Sequence, residues 1–322
     1  MTRRIDISSK TVFFITAFLI LIWIIFQILD IILLFFVAFI LMSALSPLVD
    51  RLVRLKIPRV LAVLLTFFLI IIFISVLLTA GLTPLIYQTS SLSQKLADVI
   101  AVLLQINFVD QSIIHQEMAN LSGQLVNITF DVFKNLVSFI SVLVVTIYMM
   151  LDRHKIENYT TSFFASRQEK AKKILRLIED RLGVWLRSQV MLSITIGVLI
   201  YIGLVILGVE FALPLAIIAG LLEVVPVIGP IISAIPAVLI SLTVSPVLAL
   251  LVAGLYLAVQ QIEGHVIVPQ VMKRVVGLNP LLVILAISVG GRLLGIGGAL
   301  LAVPIAVVIQ LVLQEGLKAE EE

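Results

Sequence analysis

Residues 60–82 read VLAVLLTFFLIIIFISVLLTAGL, without one charged side chain. A helix of this run measures about 35 Å at about 1.5 Å per residue, enough to cross a hydrocarbon core of roughly 30 Å. Basic residues precede it directly: Arg51, Arg54, Lys56 and Arg59. An apolar span with a basic collar on one side is how a membrane helix is written.

The rest of the chain follows the same pattern. Of 322 residues, 61% are hydrophobic and 13% charged, and the mean hydropathy is +1.23. Soluble domains carry about 45–50% apolar and about 25% charged residues. The solvent for much of this surface is therefore lipid. There is no cysteine, which removes disulfides, thiolate metal sites and thiol nucleophiles.

Upstream of residue 60, Thr11–Leu29 and Ile31–Leu45 are apolar, with Asp30 the sole charge between Lys10 and Asp50. They read as a helical hairpin with a tight turn at Asp30, and the first run reads as a retained helix rather than a cleaved leader. Downstream, Pro84 ends the span and residues 84–131 become polar. Ile114, Met118, Leu121, Leu125, Ile128 and Val132 recur there at spacings of four and three, one stripe of an amphipathic helix. A span over about Phe133–Met150 follows. Residues 152–187 are rich in Lys and Arg, with Ile174, Ile178, Leu182 and Trp185 on one helical face, and lead into the span Met191–Leu207.

The last third is broken. Leu213–Val225 is short and meets Pro226, Gly229 and Pro230; Ile231–Leu242 contains Pro236; Pro246–Gln261 is fuller. Leu281–Val289 meets Gly290, Gly291 and Arg292, and Leu293–Leu313 holds Gly295, Gly297, Gly298 and Pro304. Runs near thirteen residues are too short to cross, which predicts re-entrant or broken helices. The expected fold is an all-α polytopic membrane protein with about seven or eight membrane segments and a small extracytoplasmic helical segment. Its expected parts are residues 1–83 (hairpin plus third span), 84–131 (extracytoplasmic), 132–151 (span), 152–187 (cytoplasmic, basic) and 188–318 (broken-helix core).

Basic residues set the expected orientation. With the N-terminus in the cytoplasm and both broken regions, 213–242 and 281–313, folded back as hairpins, 19 of the 22 Lys and Arg fall inside. Lys95 and Lys134 fall outside, and Arg292 lies at membrane depth.

Candidate function sits in the breaks. Pro226 and Pro230 lack an N–H and Gly229 permits a bend, so main-chain polar groups are freed where lipid cannot satisfy them. Carriers use such breaks to hold solute or coupling ions. Glu223 lies three residues before the break, and an ionisable group in so apolar a region points to ion or proton binding. The bland alternatives are an interfacial position or a pair with Arg292. Arg292 could hold an anionic solute or snorkel from a hairpin tip. Gln260, Glu263 and His265 close a span before Pro269. His265 titrates near neutrality, yet a polar cluster that caps orphan carbonyls is the plainer reading. Gly291, Gly295 and Ala299 recur every fourth residue, a packing pattern. The substrate- or ion-binding set is thus Glu223, Pro226, Gly229, Pro230, Gln260, Glu263, His265, Gly291 and Arg292, with no catalytic residue, metal or cofactor. No phosphate loop, His-Glu-x-x-His or Gly-x-Ser-x-Gly motif occurs, so an enzyme is not expected. Nothing supports nucleic-acid binding.

Three blocks, Gly220–Pro230 (GLLEVVPVIGP), Gln260–Val271 (QQIEGHVIVPQV) and Gly277–Pro304 (GLNPLLVILAISVGGRLLGIGGALLAVP), with Trp185-Leu-Arg187-Ser-Gln189 before a span, resemble the AI-2E transporter family, the autoinducer-2 exporter-like or PerM-type membrane proteins. Ser188 departs from the glycine frequent there. The resemblance covers nearly the whole chain. It implies a bacterial inner-membrane protein with a cytoplasmic N-terminus, homo-oligomers and transport. Substrates vary across the family: some relatives are linked to export of autoinducer-2, others to sodium- or lithium-for-proton exchange. An ion-gradient-driven exporter of a small polar solute leads. The alternatives are a monovalent cation/proton antiporter centred on Glu223 and a non-transporting membrane scaffold.

Overall fold

The computed structural model describes residues 9–77, 79–80, 136–164, 168–225, 228–268 and 280–317. The expected amphipathic segment of residues 84–131 lies outside the described residues, as do Pro226, Pro269, Lys273 and Arg274. The elements are α1 (Ser9–Gln27), α2 (Leu29–Arg54), α3 (Arg59–Leu77), α4 (Leu136–Leu151), α5 (Arg153–Ser162), α6 (Gln168–Ile206), α7 (Ala212–Leu222), α8 (Ile228–Leu242), α9 (Pro246–Ile262), a π-turn (Glu263–Ile267) and α10 (Pro280–Leu317). Among the described residues no strand occurs. Five helices are long and apolar enough to cross a membrane: Leu29–Arg54, Arg59–Leu77, Gln168–Ile206, Pro246–Ile267 and Gly297–Glu315. Phe13, Trp23, Phe68, Leu250 and Leu293 are all well over half exposed, a surface that only lipid accommodates. The chain is an all-α polytopic membrane protein, as its sequence predicts.

The N-terminal hairpin is a correction. Ile28 N–H closes α1 by donating to Ile24 O at 3.1 Å, and Ile28 O opens α2 by accepting from Ile32 N–H at 3.0 Å. One residue, Ile28 at φ −102° and ψ 9°, kinks the chain but cannot reverse it. Asp30 sits instead in the first turn of α2, where a carboxylate meets the positive end of the helix dipole. Together α1 and α2 form a bent rod about 69 Å long at the usual rise per residue.

α2 ends in a Schellman turn: Ile57 N–H reaches Leu52 O and Lys56 N–H reaches Val53 O, with Lys56 left-handed at φ 68°. Pro58 then leads into α3. Arg59 donates from Nε and Nη2 to Met150 O at 3.2 and 2.8 Å, satisfying a carbonyl in the last turn of α4 that the helix cannot. Met42, Val49, Ala62, Val63, Phe67 and Met150 pack one core between these helices.

α6 is the strut of the molecule. Its 39 residues measure about 58 Å. The polar half carries Leu182 and Trp185 into a second core with Ile40, Ile287 and Ala299 to Val303, the face that the spacing of Ile178, Leu182 and Trp185 predicts. Gly183 touches α2 directly, since a Cβ there would stand 2.5 Å from Ser43 O. The apolar half packs with α7, α8 and α9 around Ile196, Ile200, Leu204, Leu215 and Val252.

α7 and α8 fold back on each other. α7 spans 11 residues, about 16 Å, half the thickness of a hydrocarbon core. α10 also reverses: Gly295, at φ 63° and ψ −145°, occupies backbone space open only to glycine. It divides the element into Leu281–Gly295 and Gly297–Glu315. The two limbs cross backbone to backbone, because a Cβ on Gly298 would strike Gly290 O and one on Gly290 would strike Gly298 O.

Candidate functional site

The α7–α8 turn builds the site. Glu223 N–H donates to Ala219 O and Val225 N–H to Leu222 O, both at 3.0 Å, which tightens the last turn of α7. Gly229 opens α8 so close to α7 that a Cβ would collide with Leu222 O. Glycine is required there for space, as its N–H is a normal helical donor to Val225 O at 2.9 Å.

This turn leaves Glu223 at a helix C-terminus, which presents carbonyls and no N–H groups. Glu223 is 0% exposed. Gln189, itself buried, donates from Nε2 to the main-chain O of Glu223 at 2.8 Å. That contact also fixes the depth. Gly220 lies beside Ser193 and Glu223 beside Gln189, two residues before the apolar stretch of α6 opens at Met191. From Gln189 to Ile206 is about 26 Å along the helix. The turn therefore stands near one end of the apolar layer rather than at its middle.

The partner of Glu223 comes from α9. Tyr256, Gln260 and Glu263 are spaced four and three, one helical face. Glu263 opens the π-turn, and such extra-residue turns inside helices recur at functional sites. Glu263, 6% exposed, lines one cavity with Ala219 of α7 and Pro230 of α8, the elements that flank Glu223, and the two carboxyls interact. Among the described residues neither oxygen of Glu223 meets an N–H or hydroxyl donor, and Tyr256 Oη and Ser193 Oγ are likewise buried without a partner. Buried polar atoms rarely go unsatisfied. Glu263, Tyr256, Gln260, Ser233 and Pro230, with Ile196 and Ile200, line a cavity of about 10 Å³, room for about one water molecule.

Of the residues expected from sequence, Glu223, Gly229, Pro230, Gln260 and Glu263 come together here. Pro226 lies outside the described residues. His265 is exposed, with Nδ1 3.0 Å from Gln261 O on its own helix, in keeping with the capping reading. Gly291 and Arg292 lie apart, on the first limb of α10. Arg292 is exposed, whereas Glu223 is enclosed, so the possible Glu223–Arg292 pair does not form and the second carboxyl stands in its place. Ser193, Ser233 and Tyr256 carry no expectation from sequence, and Gln189 enters only through the family-like block Trp185–Gln189. The four-three spacing back from Glu263 marks Tyr256; the two serines leave no such trace, because their neighbours in the site are distant in sequence.

Buried carboxyls beside a folded-back helix pair, inside a bundle whose outer faces meet lipid, are the construction of a polytopic membrane transport protein. The chain belongs to the AI-2E transporter family, whose model matches residues 12–318. It is 28% identical over 289 residues to YueF of Bacillus subtilis, covering 81% of this chain and 78% of that protein. It is 29% identical over 305 residues to the AI-2 transport protein TqsA of Escherichia coli, covering 89% of this chain and 86% of the relative. A third relative, YrrI of Bacillus subtilis, is 32% identical over 157 residues, 49% of this chain and 44% of its own length.

Proposed function

We propose that this chain exports a small polar solute of the autoinducer-2 type, driven by an ion gradient, with the α7–α8 turn as the coupling site. One observation carries the reading: Glu223 is enclosed in an apolar bundle, and among the described residues neither carboxyl oxygen has an N–H or hydroxyl donor. A group so costly to bury is kept for what it binds. The name of the TqsA relative supports the solute class. In this reading the protein is a homo-oligomer of the bacterial inner membrane. Residues 51–59 and 152–187 face the cytoplasm by their basic content. A single kinked residue joins α1 to α2, so the N-terminus of α1 lies at the far end of their rod from residues 51–59.

The meeting of Glu223 with Glu263 favours a second reading, sodium- or lithium-for-proton exchange, because two membrane carboxyls suit an ion carrier better than one. Liposomes holding the purified protein, loaded with labelled autoinducer-2 and given proton and sodium gradients separately, separate the two. Gradient-dependent solute efflux that E223Q abolishes supports the exporter. Cation-for-proton flux without solute efflux replaces it with the antiporter.

A further inference from the structure

Two acids from distant parts of the chain meet at the only join between the α7–α8 turn and the end of α9 that involves charged groups among the described residues. Among the described residues no cation pairs with them. Around the pair, α6 presents Gln189 and Ser193, α8 presents Ser233, and α9 presents Tyr256 and Gln260. The nearest arginine in sequence on α6, Arg187, is turned to carbonyls of α2, and His265 and Arg292 are exposed. Two carboxylates in contact, enclosed and without a counter-ion, repel; a carboxylic acid and a carboxylate attract, through a strong O–H···O⁻ bond.

We propose that Glu223 and Glu263 form one proton-binding site that latches the α7–α8 turn to the end of α9, so that proton loss parts them and opens the cavity beside Tyr256 and Ser233. In the closed state one carboxyl carries the proton and donates it to the other, and the pair holds a net charge of −1. When water accepts that proton, the O–H bond breaks, both groups become carboxylates, the charge becomes −2, and the contact turns repulsive. The closed state binds a proton that the open state lacks, so rising pH favours opening. The unpartnered hydroxyl of Tyr256 and the one-water cavity mark where entering water is received. The π-turn supplies the give: its looser ladder lets Glu263 shift without breaking α9. This latch rests on the coupling-site reading above and specifies its ion and its motion.

The test exploits the absence of cysteine from the chain. V259C places a thiol at the cavity wall, and L55C places one on the exposed turn between α2 and α3, away from the latch. Labelling of each by a water-soluble maleimide, in nanodiscs without solute, gives a rate ratio that cancels the intrinsic pH dependence of the thiol. The expected ratio rises at least about tenfold between pH 6 and pH 9, the change one proton can impose per pH unit. With E223Q or E263Q added, the ratio stays low at every pH, because an amide replaces the shared proton as donor. Size exclusion and melting temperature establish that each variant is folded, and either one alone suffices. A flat ratio in the parent, an undiminished rise in the folded variants, or a ratio set by sodium at fixed pH overturns the latch. No transport is needed, so a pH-gated cavity in a protein that moves no solute upholds the latch and rejects the exporter.

Discussion

Arg187 repairs what Pro47 breaks. Pro47 lies inside α2 and has no N–H to give to Ser43 O, four residues back. Arg187, on α6, donates from Nη1 to Ser43 O at 3.3 Å and to Ala44 O at 3.0 Å. The proline frees a carbonyl and a guanidinium from another helix claims it, so the pair fixes where α2 and α6 cross. R187A should cost about 1–3 kcal/mol, the usual penalty for stranding a buried polar group. In the P47A background the same change should cost less, because the α2 ladder is then complete. Denaturation in detergent of the four proteins of this cycle measures the coupling, and equal costs in both backgrounds would show that the arginine acts elsewhere.

The reversal of α10 makes a sharp comparison between adjacent glycines. A Cβ on Gly298 collides with Gly290 O, while one on Gly297 meets nothing within 4 Å. G298A should lower stability by about 1–3 kcal/mol, the range for forcing extra volume into a packed site. G297A should stay within about 0.5 kcal/mol of the parent. Thermal melts in one detergent decide it, and indistinguishable variants would contradict the crossing of the two limbs.

Tyr256 should separate stability from function. Its hydroxyl is buried and unpartnered, a burden on the fold. Y256F should leave the melting temperature unchanged or raise it, while slowing gradient-driven flux. A clear drop in melting temperature would mean that the hydroxyl has a structural partner.

Outside the membrane segments, α5 meets α6 through Glu157, whose Oε1 accepts from Arg176 Nε at 2.6 Å. That hydrogen bond holds the Glu157 carboxyl below its ordinary value of 4.5. Since the folded value is the lower one, the contact stabilises above the unfolded value and is lost as pH falls through the folded value. Arg176 is mostly exposed, so the effect is small and salt-sensitive. Protection from hydrogen exchange across residues 153–162, taken relative to the intrinsic rate at each pH, should fall below about pH 4, and E157Q should remove that acid-dependent step. An unchanged acid response in E157Q would assign it to another carboxyl.

The sequence makes the apolar spans plain because lipid demands long uninterrupted runs, and Val60–Leu82 or Met191–Leu207 can be nothing else. The breaks were legible for the same reason: Pro226, Gly229 and Gly295 are residues that regular helices avoid. The junction at Ile28 was not legible. Asp30 looks like a turn when only its charge is read, yet it is equally at home in the first turn of a continuing helix. Likewise, Glu223 stands out alone, while its meeting with Glu263 depends on α9 packing against α8 and α6, which no local pattern encodes. Gly290, the closest backbone contact in α10, was hidden because its neighbour Gly291 carries the regular four-residue spacing.

Arg187 and Gln189 are two residues apart on α6, and each holds a carbonyl of a different interrupted helix: Ser43 on α2 and Glu223 at the end of α7. No proline interrupts residues 168–206. The break in α2 and the turn that carries Glu223 are thus moored to the same half-turn of one uninterrupted helix, and a change that moved either residue would disturb both moorings.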